Sequence, residues 1–214
     1  MSQINIVMYH YVRPIKGSLY PKIKGLELDG FKRQLDYLSE RFVFITAEEV
    51  INAAKKGKNL PKNSCWLTFD DGYKDHFSYV LPELLKRNIQ GSFFPPVMPI
   101  TDNKMLKANS IHFILANAPS IDNLIDDLNK ECLNLGHLEE EIRNLWHEYA
   151  IPSIYDSKKV IYFKSLLQHA LPDSSSSEIT SRLFSKYVGI NQTDFAQNLY
   201  MSPSEVKLLV NAGM

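Results

Sequence analysis

Over its first 97 residues the chain alternates short β-branched and aromatic runs with amphipathic helical stretches, and then the alternation stops. This pattern limits the possible folds more than any other feature. Strands that alternate with helices of ten or more residues indicate βα units and a parallel sheet. "INIVMYHYV" (4–12) reads as the first strand, followed by "FVFI" (42–45), "SCWLTF" (64–69) and "GSFFPPV" (91–97), the last closed by two prolines. Between them lies "GFKRQLDYLSERF", a helix expected to be capped by Asp29, with Phe31, Leu35 and Leu38 on one face. In "TAEEVINAAKKG", Thr46 and Glu49 have capping-box spacing and Gly57 is a natural stop. "HFSYVLPELLKRN" (76–88) carries Pro82 inside its pattern, which marks a start or a kink.

From residue 98 to about 198 little is strand-like, and stretches such as "IDNLIDDLNKECLNLG" and "KKVIYFKSLLQHAL" read as helices. A helical insertion of four to six short helices is expected over 98–198. The α/β body is then residues 1–97 together with 199–214. Its last piece, "SPSEVKLLVNAGM", has Ser202 as N-cap, Pro203 at the first helical position, Glu205 in capping-box register and Gly213 as a stop. An α/β fold calls for another strand after such a helix.

With 214 residues the chain can bury one good core or a core plus an insertion. Lys and Arg number 24, as do Asp and Glu, and this balance argues against nucleic acid as the main partner. Cys65 and Cys132 are expected to be free and buried. The opening "MSQINIVMYHYV" lacks the basic n-region and the cleavage site of a secretory signal, and no segment is apolar for long enough to span a bilayer. A cytoplasmic chain is expected.

"CWLTFDDGY" (65–73) delivers two adjacent carboxylates, Asp70 and Asp71, to the tip of a strand-like run. Ligands of α/β sheets bind at the carboxyl ends of the strands. Gly72 permits a sharp turn there, so the two side chains can converge on one crevice. Two such carboxylates disfavour joint ionisation unless a cation attends one of them. The natural division is one metal ligand and one general base, the metal lowering the pKa of a water and the base taking its proton. Asp-Asp-Gly is also an ordinary turn-forming string.

"LTFDDGY" resembles the first motif of the polysaccharide deacetylase family, the NodB-homology domain, whose members remove acetyl groups from N-acetylated sugars. "VMYHYV" resembles the tyrosine-histidine strand that opens many members, "GSFF" the strand after the first motif, and "MSPSEVKLLVNAGM" the helix ahead of the second. The resemblance covers roughly 4–97 and 199–214. It implies an irregular (β/α) barrel, present here in part, with Asp70 as general base and Asp71 as metal ligand. Family members complete the site with two histidines three residues apart, and the sequence does not reach them. The implied cofactor is a divalent metal ion, with zinc the first expectation. The implied partner is an N-acetylated carbohydrate. An unfinished barrel also implies a second copy or a missing C-terminal half to cover its edge.

Among the other candidates, His10 lies near the end of the first strand and is expected to line the substrate pocket. Tyr73 can stack on a sugar ring or pack behind the motif. His76 reads as a surface residue at a helix start, and Trp66, Phe93 and Phe94 read as core rather than carbohydrate platform. Two other classes stay open. One is a non-catalytic sugar-binding or interaction protein on the same fold. The other is a phosphoacceptor receiver, which needs a further aspartate and a lysine at strand ends.

Overall fold

The computed structural model describes residues 3–214 and shows a mixed α/β chain, mostly helical, with a parallel sheet. Two compact units are present: the residues up to Lys104 together with Ala196–Met214, and Met105–Phe195. The boundary falls after Lys104 rather than at 97, because a short helix, α4 (Val97–Asp102), belongs to the first unit.

In the first unit the central strand is β5 (Ser64–Asp70). β1 (Ile4–Tyr9) runs parallel along one edge, with Ile4 opposite Ser64 and Tyr9 opposite Phe69. Two shorter parallel strands share the other edge: β4 (Val43–Phe44) lies beside the first residues of β5, and β6 (Ser92–Phe94) beside the last three. Alternation sends Cys65, Leu67 and Phe69 to one face, where they pack with Tyr9, Phe31, Leu35, Val80 and Leu84. The opposite face carries Trp66, Thr68 and Asp70 from β5. Beside them are Ile6, Met8 and Phe94, which remain 56%, 59% and 52% exposed. Trp66 donates from Nε1 to Ser92 Oγ at 2.8 Å and meets Phe94 edge-on. Phe93 is core as expected, but Phe94 lies on the open face.

Several ends differ from the sequence reading. The first strand stops at Tyr9, and Val12–Arg13 (β2) instead pairs with Leu26–Glu27 (β3). Helix α1 (Leu28–Ser39) starts two residues early, with Glu27 and not Asp29 at its N-cap. The Glu27 carboxylate is taken up by the backbone N–H groups of Ile15 and Lys16, while Asp29 sits in the first turn, where the helix dipole favours an acid. Helix α2 (Ala47–Lys56) has the expected Thr46–Glu49 capping box and a left-handed Gly57. The helix after β5 widens into a π turn at His76–Val80 and continues as α3 (Leu81–Lys86). Pro82 has no N–H for the carbonyl four residues back, and the π turn moves the preceding bond to Leu81 N–H and the His76 carbonyl.

The C-terminal helix (Pro203–Asn211) carries the Ser202–Glu205 capping box. Its end closes with Met214 N–H on the Leu209 carbonyl and Gly213 N–H on the Val210 carbonyl, Gly213 at φ 83°. Leu209 and Met214 pack with Leu81 and Met201.

The second unit holds α5 (Lys107–Asn117), α6 (Ile121–Asn134), α7 (Glu139–Tyr149), α8 (Lys158–Ser165) and α9 (Asp173–Val188). Its buried residues include Ile111, Phe113, Leu128, Cys132, Phe163 and Phe184. Cys65 and Cys132 are free and buried. No described helix is long and apolar enough to cross a membrane.

Candidate active site

Asp70 is the last residue of β5 and sits opposite Phe94 of β6. On the other edge the register ends with Tyr9 beside Phe69, and His10 is the first residue after β1. His10 is exposed and stands at the same rim as the acid pair. Asp70 and Asp71 are both half-buried, so neither lies loose in solvent.

The chain reverses through two consecutive left-handed residues, Asp71 at φ 69° and Gly72 at φ 64°. A short polar side chain tolerates that region better than most, and glycine tolerates it freely. Gly72 has a second constraint: a Cβ there would lie 2.8 Å from Pro95 Cβ. Its carbonyl accepts from Met201 N–H at 2.9 Å, and Tyr73 forms an antiparallel bridge with Tyr200. Gly72→Ala is expected to cost about 2–4 kcal/mol, from the left-handed backbone and the contact together. Urea unfolding measures it; a change under about 0.5 kcal/mol would show that the turn is not held.

Tyr73 corrects the expectation of sugar stacking. It is fully buried, with Tyr11 stacked at 4.2 Å and 23° and Tyr200 stacked at 6.0 Å and 13°. No face of its ring is open to a sugar. Its hydroxyl donates to Asp71 Oδ2 at 2.5 Å. Burial, then the neighbouring Tyr11 and Asp71, push the Tyr73 hydroxyl far above its ordinary value, so it stays a donor.

Two more ties join the segment after β1 to the segment after the turn. Arg13 Nε meets Asp75 Oδ2 at 2.6 Å, with both side chains largely buried. His76 Nε2 donates to the His10 carbonyl at 2.8 Å. His76 is therefore not a surface residue: it is 0% exposed and contacts the rings of Phe69, Tyr73 and Phe93. Its Nδ1 is buried without a hydrogen-bond partner, so the imidazole is neutral with its proton on Nε2. Burial lowers its pKa to about 4. Burial also raises the Asp75 carboxyl, while Arg13 pulls it the other way. Residues 10, 11 and 13 thus hold residues 76, 73 and 75. Tyr11, Arg13 and Asp75 are not marked out by any local motif; the strings "HYVR" and "YKDH" hold the two sides of these pairs.

Among the described residues, no group of three His, Cys, Asp or Glu side chains could hold a metal ion. A complete zinc centre takes three protein ligands, so the described residues do not supply one. The donor chemistry at the tip fits one carboxylate arm of a divalent-ion site. Asp71 is half-buried and hydrogen-bonded from behind by a phenol, as ligating carboxylates commonly are.

No protein-family model matches the chain, and no curated protein sequence matches it. Solved structures that resemble part of it include three with the following scores. A de-N-acetylase from Aggregatibacter actinomycetemcomitans is 21% identical over 46% of this chain and 39% of that one, with a TM-score of 0.39. The deacetylase PplD of Streptococcus pyogenes, in complex with acetate, is 28% identical over 42% and 41%, with a TM-score of 0.36. IcaB from Ammonifex degensii is 24% identical over 54% and 50%, with a TM-score of 0.39. The matched region spans half or less of the length of each, and at these TM-scores the likeness carries no functional weight of its own.

Proposed function

We propose that the tip of β5 supplies the base and one metal-ligand arm of a hydrolytic site that removes N-acetyl groups from an amino-sugar polymer or glycoconjugate. The observation that carries this reading is the unequal setting of the two adjacent acids. Asp70 stays in the strand, on its open face at the carboxyl edge. Asp71 is turned into a left-handed conformation and hydrogen-bonded to Tyr73. The resemblance of "LTFDDGY" to the deacetylase motif points the same way.

In this reading Asp71 holds a divalent ion and His10 lines the sugar site. When bound, the ion would lower the pKa of a water and polarise the acetyl carbonyl. Asp70 takes the proton from the attacking water, and the products are acetate and a free amine. The remaining ligands come from outside the described residues. The uncovered face bearing Ile6, Met8 and Phe94 suits a partial irregular barrel, completed by further strands or a second copy. The second reading, a non-catalytic sugar-binding protein, is favoured by the lack of a three-ligand group among the described residues.

Amine release from N-acetylglucosamine oligomers separates the two readings. Residues 1–214 alone are expected to release none, and a longer natural chain that contains them to release amine in a metal-dependent way. Turnover by residues 1–214 alone would overturn the shared-site reading. A longer chain that binds the oligomer and releases nothing would favour the second reading.

A further inference from the structure

We infer that the loop between β2 and β3 is a docking rim for a glycan that carries anionic groups, carboxylate or phosphate; this names the substrate class and rests on the reading of the β5 tip as the reaction site. Residues 14–25, "PIKGSLYPKIKG", hold Lys16, Lys22 and Lys24 and no acid. The chain as a whole balances its charges, so this surplus is local.

The loop has a frame of its own. Ile15 and Ile23 are buried and anchor its two arms. Ser18 N–H closes one turn on the Ile15 carbonyl and Ile23 N–H another on the Tyr20 carbonyl, both at 3.1 Å. The three lysines are exposed outside this frame. The root of the loop lies at the tip of the sheet. Leu26 N–H donates to the Tyr11 carbonyl at 2.9 Å, and a Cβ on Gly25 would lie 2.8 Å from Tyr11 Cβ. Tyr11 in turn stacks on Tyr73, just past the acid pair. The acids that flank the loop are taken: Asp75 by Arg13, Asp29 by Lys32, and Glu27 by the N–H groups of Ile15 and Lys16. Lys16 and Lys22 have no ion-pair partner among the described residues. Lysines left unneutralised at the rim of a site raise the local concentration of an anionic ligand. They also offset the field of Asp70 and Asp71, which alone would repel such a polymer. A lipid surface fits less well, because Leu19 is the one large apolar side chain that the loop exposes, and interfacial anchors present a whole apolar face.

Calorimetric titration of the 214-residue chain tests this with oligogalacturonate for carboxylate, poly(glycerol phosphate) for phosphate and a neutral chitin oligomer as reference. At about 50 mM salt one anionic oligomer is expected to bind at least about tenfold tighter than the neutral one, and to weaken about tenfold by about 200 mM. Lys16→Gln, Lys22→Gln and Lys24→Gln together are expected to cost about tenfold in affinity, and Lys22→Gln alone about twofold. Lys58→Gln with Lys62→Gln, ahead of the amino end of β5, is expected to stay within about twofold of the wild type. Equal binding of neutral and anionic oligomers, an unchanged triple variant, or an equal loss in the Lys58 and Lys62 variant would overturn the inference. So would phosphatidylglycerol vesicles that bind through the three lysines while neither anionic oligomer binds. Should the triple variant not fold, Lys22→Gln and the salt dependence decide: no change in either overturns it. The catalytic reading fails separately. Lysine-dependent anionic binding, with no amine released by a longer chain, upholds the glycan site and overturns the hydrolase. Amine release with no preference for anionic oligomers removes this inference alone.

Discussion

Asp70→Asn is expected to lower kcat for amine release by about 10³-fold, roughly 4 kcal/mol of barrier, while KM and divalent-ion affinity stay within about twofold. The substitution keeps the shape of the side chain and its hydrogen-bonding reach, and it removes the ability to accept a proton. The position is the last of β5, paired with Phe94 and next to Phe69, which pairs with both Tyr9 and Phe93, so the backbone has little reason to move. Asp71→Asn gives the complementary pattern: ion affinity falls first, and kcat follows at limiting ion. Steady-state kinetics over a range of ion concentrations, in the active full-length protein, separate the two. Equal losses of ion affinity in both variants would mean that the acids act as one site, without division of labour.

The second large effect is on stability against pH and comes from His76. Its folded-state pKa is depressed to about 4 by burial, against an ordinary value near 6.5. Above pH 6.5 the imidazole is neutral in both states and contributes no pH dependence. As pH falls below 6.5 the unfolded chain takes up the proton and the folded one does not. Folding stability is therefore lost progressively down to about pH 4, by about 3 kcal/mol in total, and no further below that. Asp75, whose carboxyl is raised by burial against the pull of Arg13, acts with the opposite sign. The folded state takes up that proton more readily, which offsets part of the loss at the acid end. His76→Gln can still reach the His10 carbonyl and cannot titrate. Urea unfolding at pH 7 and pH 4.5 should show the wild-type loss and a much smaller one in the variant. Parallel losses in both would mean that the imidazole is not the titrating group.

What the sequence made legible is what its own neighbours decide. The Thr46–Glu49 and Ser202–Glu205 boxes span three residues each, and both are present. β5 was readable because its apolar run is continuous, and the acids at its tip because they end it. The burial of His76, and the choice of packing over stacking for Tyr73, are decided by His10 and Tyr11, more than sixty positions away in the chain, which no local pattern shows. Alternation told which residues share a face of β5. Which face is covered depends on the elements packed against it, so Phe94, core by its strand spacing, is open. The two-residue β2–β3 pair is too short for any periodicity to show.

The most direct test of the divided acid pair is anomalous diffraction from crystals of the full-length protein grown with zinc. The account predicts one peak about 2.0–2.2 Å from a carboxylate oxygen of Asp71, with Asp70 outside bonding distance and facing the site. A peak ligated equally by both carboxylates, or no peak at the tip of β5, would contradict it.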